Sequence, residues 1–369
     1  MKRIITATFV LGLLSAPVTI AQPRSPRIVS PEVHADRSIT FRVKGPELAT
    51  AIVQAPWAGE PTAMKKGDDG VWSATVGPVD PQIYSYKYEI DGVGVLDPHN
   101  PRVKLWDGGA ASLVEVPGLQ PTAYDWTARP HGDLHIHHFR SSATDQERRV
   151  IVYTPPGYEA GTDRYPTLYL LHGSGDNETT WSELGKANLI LDNLIADGRA
   201  RKMLVVMTNG HPISFGDRRS GRLGGNTDLF IKELTGDVIP LIEQRYRVNK
   251  RREDRAIAGL SMGGGQSLNA GLGRVDLFGW VAAFSASTRG VQENSAIQEL
   301  VANADRANDQ LKLLWIAIGE DDFLLEGNQA LHKFLEQKGI EHNYKITAGG
   351  HSWPVWRGYL EGLVPLLFR

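Results

Sequence analysis

The sequence predicts an α/β fold, a mostly parallel sheet flanked by helices, preceded by an all-β segment of β-sandwich type. Three observations predict it. Short alternating runs with turn signals between them fill residues 26–118; from about residue 132 apolar strand runs alternate with helical patterns; and Gly259-Leu260-Ser261-Met262-Gly263 stands where one such run meets a helix. The 369 residues suffice for two domains plus a leader, read as a signal peptide over 1–21, the β segment over 26–118, a linker over 119–131 and the α/β segment over 132–369.

Lys2-Arg3, an apolar stretch over 4–14 and Thr19-Ile20-Ala21 before Gln22 have the charged, apolar and small-residue parts of a secretory signal, cleaved near Ala21. The run is too short for a membrane span. The chain has no cysteine, which excludes disulfides, thiolate catalysis and Cys-ligated zinc and leaves no residue for a lipid anchor. A secreted or periplasmic bacterial protein is expected. The formal net charge of −2 gives no general attraction to nucleic acid or to an anionic membrane, so neither is an expected partner.

In the β segment, runs 38–43, 51–54 and 71–76 alternate, and run 83–90 meets Asp91-Gly92 before Val93-Gly94-Val95, a hairpin signal. Trp72 alternates within its run and reads as core. The α/β segment opens with entry strands over 134–139 and 148–153. A strand from Pro166, a helix over 188–197, a strand over 203–207 and a helix over 228–246 follow. His131, His135, His137 and His138 cluster near its start, but only Asp133 is near ligand spacing, and no metal site is expected.

The strand run 254–258 and the small-residue helix 263–272 give the Gly-x-Ser-x-Gly sequence the strand-to-helix context of a nucleophile elbow, with Ser261 exposed above the sheet. Serine needs a base, usually His, oriented by a carboxylate, and on such sheets the chain order is Ser, acid, His. The apolar run 313–319 ends in Glu320-Asp321-Asp322, and the run 344–347 leads to Gly349-Gly350-His351. Asp322 is the preferred acid, with Asp321 and then Glu320 as alternatives. His351 is the preferred base, because His332 sits in a helical pattern and His342 precedes a strand. Upstream, the run 166–171 ends in His172-Gly173-Ser174-Gly175-Asp176. The N–H of Met262 is one expected oxyanion donor, and Ser174, or alternatively Gly175, supplies the other. His172 reads as a structural loop residue. No metal and no organic cofactor is expected for such chemistry.

Residues 132–369 resemble the esterase-D-type α/β-hydrolases of carbohydrate esterase family 1, which includes feruloyl and acetylxylan esterases. The resemblance is carried by Tyr153-Thr154-Pro155-Pro156-Gly157-Tyr158, Leu171-His172-Gly173-Ser174-Gly175-Asp176, Gly259-Leu260-Ser261-Met262-Gly263-Gly264, Gly319-Glu320-Asp321-Asp322 and Gly350-His351. It implies the α/β-hydrolase fold, a Ser261-His351-Asp322 triad and Ser174 as the second oxyanion donor. Residues 26–117 resemble the immunoglobulin-like module of carbohydrate-binding family 48 in Ser30-Pro31-Glu32-Val33, Gly70-Val71-Trp72-Ser73 and Leu96-Asp97-Pro98. Trp57 or Trp106 would then stack on sugar; alternatively the module shapes the acyl pocket.

The expected activity is serine-dependent hydrolysis of hydroxycinnamate esters on plant cell-wall polysaccharide, feruloylated or acetylated xylan. An acetylxylan esterase, an enterochelin-type siderophore esterase and a carbohydrate-binding protein with a silent hydrolase segment are the alternatives. A ferulate ring needs a flat apolar slot. Trp181, Phe323, Trp353 and Trp356 are the candidate lining, Trp353 and Trp356 foremost, with Phe215 also near. The Gly-rich loop 210–226, with Arg218, Arg219 and Arg222, is a candidate cover or a solvated loop.

Overall fold

A computed structural model describes residues 27–106, 109–213 and 226–369. The expected leader, Phe215 and the three loop arginines lie outside the described residues.

The β segment forms two antiparallel sheets. One has the order Glu32–Val33, Ile39–Lys44, Val71–Val76, Lys65–Lys66. The other runs Thr62–Ala63, Ala51–Gln54, Gln82–Ile90, Gly109–Val116, Val103–Trp106, with Val93–Val95 paired to Gln82–Ile90. The Asp91-Gly92 turn has φ of 49° and 81°, the left-handed pair that a two-residue hairpin requires. Ile39, Phe41 and Val43 of the first sheet and Val53, Tyr86, Tyr88 and Val114 of the second share one core, where Trp72 is also buried.

A polar knot closes this core. Asp97, 2% exposed, accepts hydrogen bonds from the hydroxyls of Ser30 (2.7 Å), Tyr86 (2.8 Å) and Tyr88 (2.9 Å) on one carboxylate oxygen. Burial, reinforced by the Asp97 charge, pushes both tyrosine hydroxyls far above their ordinary range, so they stay protonated donors. The other face of strand Gln82–Ile90 is covered at one end. Its Tyr84, Tyr86 and Tyr88 enter the shared core, while Ile83 points the other way and packs with Leu113 on Leu184 and Trp353 of the following segment.

The α/β segment is built on an eight-stranded sheet in the order Asp133–Arg140, Glu147–Thr154, Leu204–Thr208, Thr167–Leu171, Arg255–Leu260, Trp280–Phe284, Leu313–Gly319, Asn343–Thr347. The first two pairings are antiparallel and the other five parallel, in keeping with antiparallel entry strands. One cluster of buried side chains, including Tyr169, Phe230, Ile257 and Leu331, covers one face; another, including Leu170, Trp181, Phe284 and Leu360, covers the other.

Residues 119–131 are strapped down. The Asn193 amide donates to the carbonyls of Ala123 and Asp125 (both 2.9 Å), and His131 bonds Asp192 at 2.9 Å. The single helix expected over 228–246 is Asn226–Glu233 and Ile239–Arg245, joined by a π-helical stretch, Leu234–Val238. Pro240 lacks the N–H that an unbroken α-helical ladder would use.

Asp97→Ala is expected to lower stability by roughly 1–3 kcal/mol for each buried hydroxyl left without its acceptor. Urea unfolding checks this, with Asp97→Asn losing less.

Candidate active site

Ser261 sits between strand Arg255–Leu260 and helix Met262–Gly273 with φ 53° and ψ −116°, a conformation disfavoured for a side-chain-bearing residue. Its surroundings hold it there. Its N–H donates to the Phe284 carbonyl (2.9 Å), and its own carbonyl accepts from Gly265 (3.1 Å) and Ser287 (2.9 Å). The turn is so tight that a Cβ on Gly259 would lie 2.5 Å from the Gly263 carbonyl, and one on Gly263 would lie 2.4 Å from the His172 oxygen. The two glycines are therefore steric requirements of the elbow.

The three residues picked from widely separated parts of the sequence converge. His351 Nε2 is 3.0 Å from the Ser261 hydroxyl, and its Nδ1 is 2.9 and 3.1 Å from the two Asp322 oxygens. A carboxylate only accepts, so Nδ1 carries the proton and Nε2 is free to accept from serine. Asp322 is 4% exposed and also accepts from the Leu324 N–H (2.9 Å), whereas Glu320 and Asp321 are exposed. The imidazole packs against Phe323 (4.5 Å between centroids) and the edge of Trp356 (4.8 Å), which limits its rotation.

Of the two candidate oxyanion donors upstream, Gly175 is committed elsewhere: its N–H donates to His211 Nε2 at 3.0 Å. Ser174 is exposed and lines the same cavity as Ser261. Met262 is the first residue of its helix, where no intrahelical carbonyl is available to its N–H. His172 is buried; Nδ1 donates to the Gly173 carbonyl and Nε2 accepts from the Gly210 N–H, both at 2.8 Å. It is a structural residue of the turn, as expected. The four histidines near the start of the α/β segment bond Asp192, Thr154, Tyr246 and Glu147. Among the described residues no three metal-ligating side chains converge.

The cavity over Ser261 measures about 450 Å³. Trp353, Trp356, Leu184 and Ser174 line one part of it, and Trp57, Ile83, Tyr84 and Lys104 of the β segment line another. Trp57 and Tyr84 stack at 4.3 Å, and the Trp57 indole N–H donates to the Ser85 carbonyl (2.7 Å). Two of the expected lining residues need correction. Trp181 is 1% exposed, with its indole N–H donated to the Leu171 carbonyl and its ring against Trp353, so it supports the wall from behind. Phe323 is 76% exposed and packs on His351 without lining the cavity. Trp353 and Trp356 do line it, from helix Trp353–Leu363, whose Pro354 in the first turn suits a helix start. Of the β-segment wall, sequence reasoning named Trp57 as a sugar platform and missed Ile83, Tyr84 and Lys104. The alternation of run 83–90 signals one buried face and leaves the face of Ile83, Ser85 and Lys87 reading as solvated.

Trp181→Ala is expected to cost about 3–5 kcal/mol of stability, and Trp57→Ala far less; chemical denaturation of the two variants measures the contrast. Burial lowers the affinity of His172 for protons and pushes His211 down from 6.5 to about 3. Both imidazoles are neutral when folded and take up protons on unfolding in acid. Their contribution is complete above pH 6.5 and is lost as pH falls from 6.5 towards 3. The melting temperature should fall across that window, less steeply in His211→Gln.

The family described as "Putative esterase" matches residues 141–367. An endo-1,4-beta-xylanase/feruloyl esterase of Xylanibacter ruminicola is 32% identical over 92% of this chain; the chain spans 46% of that relative's length. A solved ferulic acid esterase superposes with a TM-score of 0.55 at 27% identity, covering 64% of this chain and 98% of that one. The enterobactin esterase of Shigella flexneri gives a TM-score of 0.61 at 22% identity over 89% of this chain and 93% of the other, a likeness of fold that takes in the β segment as well. With a family match over more than half its length, the chain belongs to the esterase family and is a carboxylic ester hydrolase with an α/β-hydrolase-like fold.

Proposed function

We propose that this protein is a secreted or periplasmic feruloyl esterase acting on hydroxycinnamate esters of plant cell-wall polysaccharide. The observation that carries the reading is the aromatic-walled cavity over Ser261, with the stacked Trp57–Tyr84 pair and the Trp353 and Trp356 rings among its lining. A flat acyl ring fits between such walls. The relative named a xylanase/feruloyl esterase supports the same substrate class.

In this reading Ser261 attacks the ester carbonyl while His351 Nε2 takes its proton, and Asp322 holds the imidazole and stabilises its cation. The N–H groups of Met262 and Ser174 receive the oxyanion; losing one such donor typically costs about 10²–10³ in rate. The alcohol leaves with the proton from His351, and water repeats the sequence on the acyl-enzyme. The two antiparallel sheets around one core support an immunoglobulin-like sandwich over residues 26–118, of the carbohydrate-binding family 48 type, joined through 119–131 to the esterase domain 132–369. The leader composition supports export, with cleavage near Ala21.

Hydrolysis of methyl ferulate is compared with that of methyl acetate, with Ser261→Ala as the blank. The expected result is a strong preference for the ferulate and a Ser261→Ala loss of about 10⁶ in kcat. A preference for acetate would replace the substrate assignment with an acetyl esterase, and undiminished turnover by Ser261→Ala would remove the assignment of the nucleophile.

A further inference from the structure

The turn that carries Ser174 is held from two sides. Within the α/β segment, His211 takes the Gly175 N–H, and Arg148 fixes the chain beneath by donating to the carbonyls of Asn209 and His211, both at 2.8 Å. The other side is held by a residue roughly 70 positions earlier in the chain. Lys104, on strand Val103–Trp106, places its ammonium 2.7 Å from the Asp176 carboxylate, with the two side chains only 18% and 10% exposed. Beside it, the Asn177 amide donates to the Leu105 carbonyl at 3.0 Å.

Asp176 closes the turn, its N–H donating to the Gly173 carbonyl at 3.2 Å, and it lines the same cavity as Ser174 and Ser261. A carboxylate at that position is a hazard. The reaction develops negative charge on the carbonyl oxygen inside a partly desolvated cavity, and an unneutralised carboxylate in its wall raises the energy of that state more than that of the neutral ester. The ion pair with Lys104 removes the hazard and fixes the turn in one step.

We propose that Lys104 is a positioning residue for ester hydrolysis, supplied by the β segment: by pairing with Asp176 it holds the Ser174 turn in place and neutralises the carboxylate beside the site of oxyanion formation. The inference rests on the assignment of Ser261 as nucleophile and Ser174 as oxyanion donor. It gives the β segment a part in the chemical step that is separate from any sugar binding.

The test uses the full chain and 4-nitrophenyl acetate, a substrate that does not depend on the acyl preference. Lys104→Met, Asp176→Asn, the double variant and Lys104→Arg are compared with wild type and with Ser261→Ala, folding being checked by thermal melts. Lys104→Met is expected to lower kcat by about 10- to 100-fold with KM little changed, as for a misplaced donor. Asp176→Asn should lose less, and the double variant should recover much of the Lys104→Met loss, because the unpaired charge is gone. Inhibition by phenylboronic acid, which forms a tetrahedral adduct on an active serine, should weaken in parallel with kcat. A double variant no better than Lys104→Met, or a Lys104→Met enzyme with wild-type kcat, overturns the proposal. Turnover by Ser261→Ala at the wild-type level would instead overturn the underlying site assignment. If Lys104→Met does not fold, Lys104→Gln against Lys104→Arg supplies the same contrast of charge lost against charge kept.

Discussion

Everything at the candidate site depends on how closely two backbone segments approach beneath Ser261. The Gly263 end of the elbow rests on Leu171 and the His172 carbonyl, with no room for a Cβ at Gly259 or Gly263. That approach holds Ser261 at positive φ and brings the start of helix Met262–Gly273 beside the turn Gly173–Asp176, whose Gly173, Ser174 and Asp176 line one cavity with Ser261. The cost of the serine conformation, of order 1–3 kcal/mol, is met by the parallel sheet on either side, whose strands are buried along their whole length.

Much of this was legible in the sequence because the chemistry is local. Ser261 has its glycines within two positions, Asp322 follows directly on an apolar strand run, and His351 follows a shorter run and two glycines. The choice of Asp322 over its two acidic neighbours was less legible. In space Asp322 is the one that is buried and within hydrogen-bond distance of His351, neither of which leaves a trace in a row of three acids. Strand Trp280–Phe284 escaped because its five-residue run, with two alanines at its centre, is poor in β-branched residues, and the helix at Trp353 because it begins directly after the loop that carries His351.

The far wall of the cavity was illegible for a different reason. Ile83, Ser85 and Lys87 alternate with three core tyrosines just as a solvated face would, and nothing near them names Leu184 or Trp353, about 100 and 270 residues further on, as the cover. Lys104 reads as a surface lysine on a short strand. Only the docking of the two segments shows that it meets Asp176. Trp181 illustrates the converse: an indole a few residues beyond the Gly173–Asp176 turn in sequence is turned inwards, because the Leu171 carbonyl at the end of its strand accepts its N–H.

The strapping of residues 123–131 onto helix Ala187–Ala196 has a consequence for how such a protein can be divided or inherited. A cut at the apparent linker would sever a tie of the esterase segment and strip Trp57, Tyr84 and Lys104 from its cavity. The two segments are not beads on a string to be shuffled among partners. The pair is the smallest unit that recombination, or an engineer, can transplant with the cavity whole.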